Sequence, residues 1–349
     1  MAFFKKMISK KPLSVFDCGS DKLAFLIGAK DAGGSFQVLG AGESDLGGVE
    51  NGEIRNLGDA VESVMDALRK AQNSAGVKVD SVYFNFDDPA MESRRVNGTK
   101  ILSGEGEILA TDIHEALRMA ERDVSQFEKK VLYSKPVGFI VDDRDRIENP
   151  IGVFGQKLAV EVHILRACSD RCDAWQKLIS RCHLARGILV PSALSTAYGI
   201  LPPPDREKKR MIVDAGKDFF NLFIFSKNAL VDCRVILTKM ADLDSTAELF
   251  RSAAKDLAEK NTGVAEILFT GDLAGDENFF NDLFQGFGLP FQKAAPTGVA
   301  RLTEPRYASL AGLFYVADEL EKKTPFLQTG KGIFQSMKEK TMMTLQEYF

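Results

Sequence analysis

Apolar residues come in short blocks at the start of the chain: SVFDCGS, then KLAFLIGAK, a Gly33-Gly34 turn, and SFQVLGAGE. This pattern predicts a β-hairpin or meander over Leu13 to Gly40. The period then changes, because Val61, Val64, Met65 and Leu68 recur at helical spacing. They predict a helix through Ala75 that Asn56 or Asp59 caps, followed by a strand at Ser81 to Phe86. From Asp87 the character shifts. An amphipathic helix at Asp112 to Val124, then strands at Val131 to Val141 and Gln156 to Leu165 parted by Asn149-Pro150, read as a small α+β unit inserted between about Asp87 and Val162. The α/β alternation resumes with a helix at Asp170 to Cys182, a strand at Ala185 to Val190 and a helix at Ser192 to Leu201. Pro202-Pro203-Pro204 and the charged run to Arg210 then predict a stiff, exposed connector, the best boundary in the sequence.

The second half repeats the opening theme. Strands at Met211 to Asp214, Phe220 to Phe225 and Ala229 to Thr238 precede a helix that Ser245 and Glu248 start as a capping box and that ends near Lys260. A strand at Glu266 to Thr270, a helix through Phe279 to Phe287 and a strand at Leu289 to Gln292 complete it. Two halves that each run strand, strand, strand, helix, strand, helix predict a duplicated α/β fold of two lobes with a ligand cleft between them.

Composition narrows the class. With 349 residues, 45% hydrophobic and 27% charged, the chain exceeds one ordinary core and is that of a soluble globular protein. A net charge of −4 argues against nucleic acid as a partner. The five cysteines contain no CxxC pair and read as reduced, cytoplasmic thiols. Cys168, Cys172, Cys182 and His183 suggest a zinc site only weakly, and a helix with two buried thiols is the better reading.

The hairpin MIVDAGKDFFNLFIF, Met211 to Phe225, carries the sharpest chemical signal. A phosphate-gripping turn needs consecutive glycines so that bare N–H groups reach the phosphate oxygens. Here a single Gly216 is followed by Lys217, Asp218 and Phe219, so charge of the wrong sign and bulk occupy the turn. Asp17 and Asp214 could frame a magnesium ion and Lys22 or Lys217 meet a phosphate, but strand capping by the two carboxylates is favoured. His114, His163 and His183 lie too far apart in sequence to offer a catalytic constellation.

The ends carry a second signal. After a linker at 324–331, Ile333, Phe334, Met337, Met342, Leu345, Tyr348 and Phe349 fall on about half of a helix circumference, which suits a helix lying in a membrane interface. Docking on protein is the competing reading. At the N-terminus, Phe3 and Phe4 stand beside Lys5 and Lys6, a basic apolar stub that would add to the anchor.

The chain resembles the bacterial cell-division FtsA family, within the superfamily of actin, sugar kinases and heat-shock chaperones. Asp17-Cys18-Gly19-Ser20-Asp21-Lys22 is similar to the first phosphate loop, DIGTSK. Asn149-Pro150-Ile151-Gly152 with Val160-Glu161-Val162-His163 looks like the end of the inserted 1C subdomain. PSALSTAYGIL (Pro191 to Leu201) and YASLAGLF (Tyr307 to Phe314) look like the two connecting helices, and Leu268-Phe269-Thr270-Gly271 like the adenosine-loop strand. The pilus-assembly protein PilM is a sister family, though the Asn149-Pro150 region fits FtsA better.

The resemblance implies an actin-like, ribonuclease-H-like duplicated fold. Its parts would be a tail at 1–12, a first lobe at 13–86 and 163–204, a 1C-type insertion at 87–162, a second lobe at 205–323, a linker at 324–331 and a terminal helix at 332–349. It places a vestigial nucleotide site at Asp17, Gly19, Ser20, Lys22, Asp214, Gly216, Lys217, Thr270 and Gly271. Two departures count: the second phosphate loop is Asp214 to Phe219 in place of DIGGGT, and Asp272 stands where a second glycine belongs. Only one helix fits between Thr238 and Glu266, so the family's 2B subdomain is expected to be missing. The implied protein is an adaptor on the inner face of the cell membrane, not an enzyme, working with lipid, divisome proteins such as FtsZ, and copies of itself. No cofactor is expected, or ATP with magnesium if the site works. An active ATPase and a PilM-like soluble adaptor are the alternatives.

Overall fold

The computed structural model describes residues 11–19, 22–124, 128–144, 146–238, 243–284 and 288–323. Ser20, the basic tail at 1–10, the linker and the terminal helix at 332–349, with every membrane-facing residue expected there, lie outside the described residues. The chain divides into two compact units: 1–91 with 168–318, and Glu92–Ala167 with the chain beyond Asp318.

In the first unit β1 (Leu13–Cys18), β2 (Lys22–Lys30) and β3 (Phe36–Asp45) form an antiparallel meander, and the short β4 (Val49–Glu50) and β5 (Glu53–Ile54) pair with each other. Helix α1 (Leu57–Ala75) follows, with Asn56 Oδ1 accepting from the Gly58 and Asp59 N–H groups as the cap that its side chain predicts. Strand β6 is Ser81–Phe86. α1 lies close on β3, because Cβ atoms at Gly42 and Gly40 would come within 2.0 Å of the Ala67 carbonyl oxygen and 2.3 Å of that of Ala71.

The second unit is built from β7 (Glu92–Glu107), α2 (Ala110–Val124), β8 (Lys129–Val141) and β9 (Phe154–Cys168), in the sheet order β7-β9-β8. Ile113, Ala116, Leu117 and Ala120 of α2 bury against Leu158, Val160, Val162 and Ile164 of β9. β7 has no counterpart in the strands expected from the sequence. Its ESRRVNGTKILSGEGE is short of apolar residues, and pairing with β9 supplies what its own composition does not. Gly98 lets β7 meet α2, since a Cβ there would lie 1.8 Å from the Ala116 carbonyl oxygen.

The chain returns to the first unit through α3 (Ser169–Arg181), β10 (Arg186–Pro191) and α4 (Ser192–Ile200). β11 (Arg210–Ala215), β12 (Phe219–Ser226) and β13 (Ala229–Leu237) make a second meander, followed by α5 (Leu243–Lys260), β14 (Ile267–Thr270), α6 (Glu277–Phe284), β15 (Phe291–Lys293) and α7 (Ala308–Lys323). The two five-stranded sheets run β3-β2-β1-β6-β10 and β13-β12-β11-β14-β15. In each, the first strand pairs antiparallel with the second and parallel with the fourth. The expected duplication is therefore a repeat of topology strand by strand.

The proline run is exposed as expected at Pro202, Pro203 and Pro204, but it is also anchored: Pro203–Glu207 is a 3-10 turn, and Arg206, 4% exposed, donates to the Leu201 and Tyr198 carbonyls and lies over the Tyr198 ring. An arginine that reaches back to cap α4 ties the segment down where proline stiffness alone would let it stand away. Ser245 does not cap α5, which starts two residues earlier at Leu243, so the Ser245 and Glu248 pair lies inside the first turns.

Candidate functional site

In each lobe the first and fourth strands end in a carboxylate. Asp17 is the next-to-last residue of β1 and Asp87 follows β6; Asp214 is next to last in β11 and Asp272 follows β14 by two. Parallel strands present their carboxyl ends together, so these four acids converge on one cavity of about 530 Å3 within the first unit.

The site is cross-linked by neutral donors. Ser309 Oγ donates to Asp17 (3.1 Å), Thr196 Oγ1 to Asp214 (2.5 Å), and Asn221 Nδ2 of β12 to Asp87 (3.0 Å). Gly271, at φ 97°, fits under Asp214, where a Cβ would stand 2.5 Å from Oδ1. Burial, with the Asp87, Asp17 and Asp272 charges added, raises the Asp214 carboxyl to about 7 although Thr196 opposes this. Burial likewise brings Asp87 to about 6 and raises Asp17.

Acids whose folded values are raised stay protonated in the native chain while the unfolded chain, near 3.9, has already lost its protons. Between about pH 4 and 7 the native state thus binds more protons, and stability falls as pH rises. Asp214→Asn removes the largest such contribution. Thermal melts are expected to place the variant's Tm above that of the parent at pH 8, with the gap closing by pH 5. A gap independent of pH would contradict the assignment.

The turns at the cavity keep their glycine donors to themselves. The Gly19 N–H donates to the Lys22 carbonyl (3.0 Å) and the Gly216 N–H to the Phe219 carbonyl (2.9 Å). Thr238 holds the second turn from below, its N–H on the Asp218 carbonyl at 2.7 Å and its hydroxyl on the Gly216 carbonyl at 3.2 Å. The Phe219 ring reaches the β4–β5 turn of the other lobe, 3.1 Å from where a Gly52 Cβ would be. Trp175 fixes that turn by donating to the Gly52 carbonyl (3.1 Å).

Of the expected site residues, Asp17, Gly19, Lys22, Asp214, Gly216, Lys217 and Gly271 line this cavity. Thr270 does not; fully buried, it turns its hydroxyl to the Pro305 carbonyl (2.9 Å). Asp87, Asn221 and Ser309 went unassigned in the sequence. Asp87 carried a usable signal, an acid directly after a predicted strand, whereas Asn221 and Ser309 arrive through tertiary pairing alone. Among the described residues no group of three or more His, Cys, Asp or Glu side chains has the geometry to hold a metal ion, the Cys168–His183 set included.

Residues 90–166 match the family model described as the SHS2 domain inserted in FTSA. The cell division protein FtsA of Pseudomonas aeruginosa is 25% identical over 228 residues, 65% of this chain and 54% of that protein. FtsA of Escherichia coli K12 is 25% identical over 66% of this chain and 55% of its own length, and FtsA of Rhizobium meliloti 29% over 63% and 52%. The chain thus spans about half the length of the curated relatives it matches. Among solved structures, a chain of a PilM-PilN type IV pilus biogenesis complex superposes with TM-score 0.64 at 12% identity, over 87% of this chain and 98% of that one. MreB5 of Spiroplasma citri bound to ADP gives 0.50 at 9% identity, over 92% and 99%. The duplicated sheets and these superpositions define an actin-like fold with an inserted SHS2 unit. Within that class, the insertion and the matched relatives make the chain an FtsA-like protein.

Proposed function

We propose that the protein serves bacterial cell division as an FtsA-like adaptor, held at the inner face of the membrane by its two ends and binding ATP weakly or not at all. The SHS2 unit at 90–166, set into an actin-like fold, is the observation that carries the divisional role. That unit leaves Ile101 and Phe154 each 66% exposed, surface suited to recruiting protein partners, FtsZ or a second copy among them. The stretch between β13 and β14, where α5 is the one helix described, supports the absence of the 2B subdomain.

An ATP and magnesium site would need free backbone donors for the phosphates beside the carboxylates that hold the metal. The donors present do not fit it: the two turn glycines spend their N–H groups inside their own turns, and Lys217, Asp218 and Phe219 line the cavity where the second turn would need glycines. Calorimetric titration with Mg-ATP is expected to give Kd weaker than about 100 μM. Submicromolar, magnesium-dependent binding would favour the ATPase reading instead.

The amphipathic pattern at Ile333 to Phe349 supports membrane attachment, and Phe3 to Lys6 supports a second weak anchor. Among the described residues no helix is long and apolar enough to cross a membrane. Co-sedimentation with anionic vesicles should retain the full chain and lose most of it on deletion of 332–349. Equal retention would leave a PilM-like soluble assembly adaptor as the better account, a second reading favoured by superposition along 98% of the PilM-type chain.

A further inference from the structure

Strand register separates the two faces of the SHS2 sheet. Leu158, Val160 and Val162 of β9 pack on α2, so the alternate pair Ile101 and Lys157 turns away from it. Beyond the strand ends the ladder continues, the Ile108 N–H on the Val153 carbonyl and the Gly152 N–H on the Ile108 carbonyl, each at 3.0 Å. Ile108 and Val153 face α2, which turns their neighbours Glu107, Leu109 and Phe154 to the outer face. Ile101 and Phe154 are joined there by Leu109, 54% exposed, in an apolar patch. Glu107 stands in it, its Oε1 3.5 Å from where a Gly152 Cβ would be. On the same face Lys157 and Glu161 are already paired, with Asp143 (2.9 Å) and Arg146 (2.7 Å).

The chain delivers a matching segment to this unit. Helix α7 ends at Lys323, within the stretch beyond Asp318 that groups with the SHS2 unit and not with the lobes. The linker at 324–331 then reaches up to about 26 Å when extended. At helical spacing Lys338 falls inside the apolar arc of 332–349, between Leu345 and Phe349. A lysine in that position sits poorly in lipid, where it must snorkel to the headgroups, and well against a carboxylate set among apolar side chains. Tethering raises the local concentration of the segment, so a weak contact suffices.

We propose that, away from a membrane, 332–349 docks as a helix on the outer face of its own SHS2 unit, the apolar arc on Ile101, Leu109 and Phe154 and Lys338 on Glu107. The contact is autoinhibitory, because one arc cannot lie on lipid and on protein together. Phe154 is open to partners only once lipid has taken the segment. That consequence rests on the membrane attachment proposed above; the docking itself does not.

The test is amide hydrogen exchange of the full chain without lipid. Exchange over 333–349 is expected to be at least about tenfold slower than in a synthetic 331–349 peptide, which has no partner to hold it helical. The slowing should be equal at about 1 μM and about 20 μM protein, as an intramolecular contact requires. Glu107→Lys and Lys338→Glu should each speed exchange about threefold or more, and the two together should recover most of the slowing, with Glu62→Lys on α1 unchanged. Phe154→Ser, which alters no charge, should tighten binding to phosphatidylglycerol vesicles about threefold or more, since docking hides the lipid-competent state. Leu109→Ser takes its place if its near-ultraviolet circular dichroism departs from the parent. Exchange at the peptide rate, no recovery in the double variant, an equal effect of Glu62→Lys, or slowing confined to the higher concentration would each overturn the docking, the last by assigning the patch to a second copy. Slowed exchange with no vesicle binding in any variant sinks the membrane reading alone. Vesicle binding with exchange at the peptide rate sinks the docking alone.

Discussion

Gly312→Ala is expected to lower the Tm by about 6 to 12 °C, a loss on the order of 3 kcal/mol, and to reduce the yield of folded chain. Helices α4 and α7 cross backbone to backbone at Gly199 and Gly312. A Cβ at Gly312 would lie 1.6 Å from the Ser195 carbonyl oxygen and 2.7 Å from the Gly199 nitrogen. These are main-chain atoms, so no rotamer change relieves the overlap and the helices must separate. Separation would carry with it Thr196 of α4, which holds Asp214, and Ser309 of α7, which holds Asp17. Gly275→Ala is the matched control, because nothing stands within 4 Å of a Cβ there. A control shift as large as that of Gly312→Ala would refute the packing argument.

Glu92→Ala is expected to destabilise the SHS2 unit by about 3 kcal/mol, at the low end for orphaning a buried charge because Glu92 is itself partly exposed. Arg166, 1% exposed, is the largest fully buried side chain among the described residues, and its guanidinium meets Glu92 and the Val124 carbonyl at the end of α2. Glu92 also faces Arg94 (3.2 Å) and Lys129 (3.8 Å), and the Arg166 hydrogen bond does most to hold its carboxyl below the ordinary range. Removing the carboxylate leaves the guanidinium buried without a counter-charge. Removing the cation instead, as Arg166→Met, leaves a half-buried glutamate with basic neighbours, and the cost is expected to stay under about 1.5 kcal/mol. Hydrogen exchange of the β9 amides in each variant measures both. The reverse order of damage would show that cavity formation, not charge burial, dominates.

How far the fold could be read ahead of the structure depended on the kind of residue carrying each element. Ser81–Phe86 emerged with its bounds intact, and Leu57–Ala75 with its Asn56 cap, because apolar spacing and a capping side chain are local properties. Strand β7 was illegible for the opposite reason: its register on β9, from Glu92 opposite Arg166 onwards, is set by the partner. The phosphate-turn residues pointed to the cavity, since Asp17 and Asp214 stand at the ends of recognisable strands. They did not reveal Asp87 as the acid that Asn221 grips across the cavity, a pairing over 134 positions of sequence.

By itself the sequence determined the duplicated strand-and-helix order, the insertion and the loss of consecutive glycines from the second turn, because periodicity and side-chain bulk act within a few residues of where they are written. Only the tertiary structure decided that Phe219 wedges against Gly52, that Arg206 ties down the proline run, and that four strand-end carboxylates share one enclosure. Electrostatic cost depends on distance and burial, and neither exists until the sheets have closed around the site.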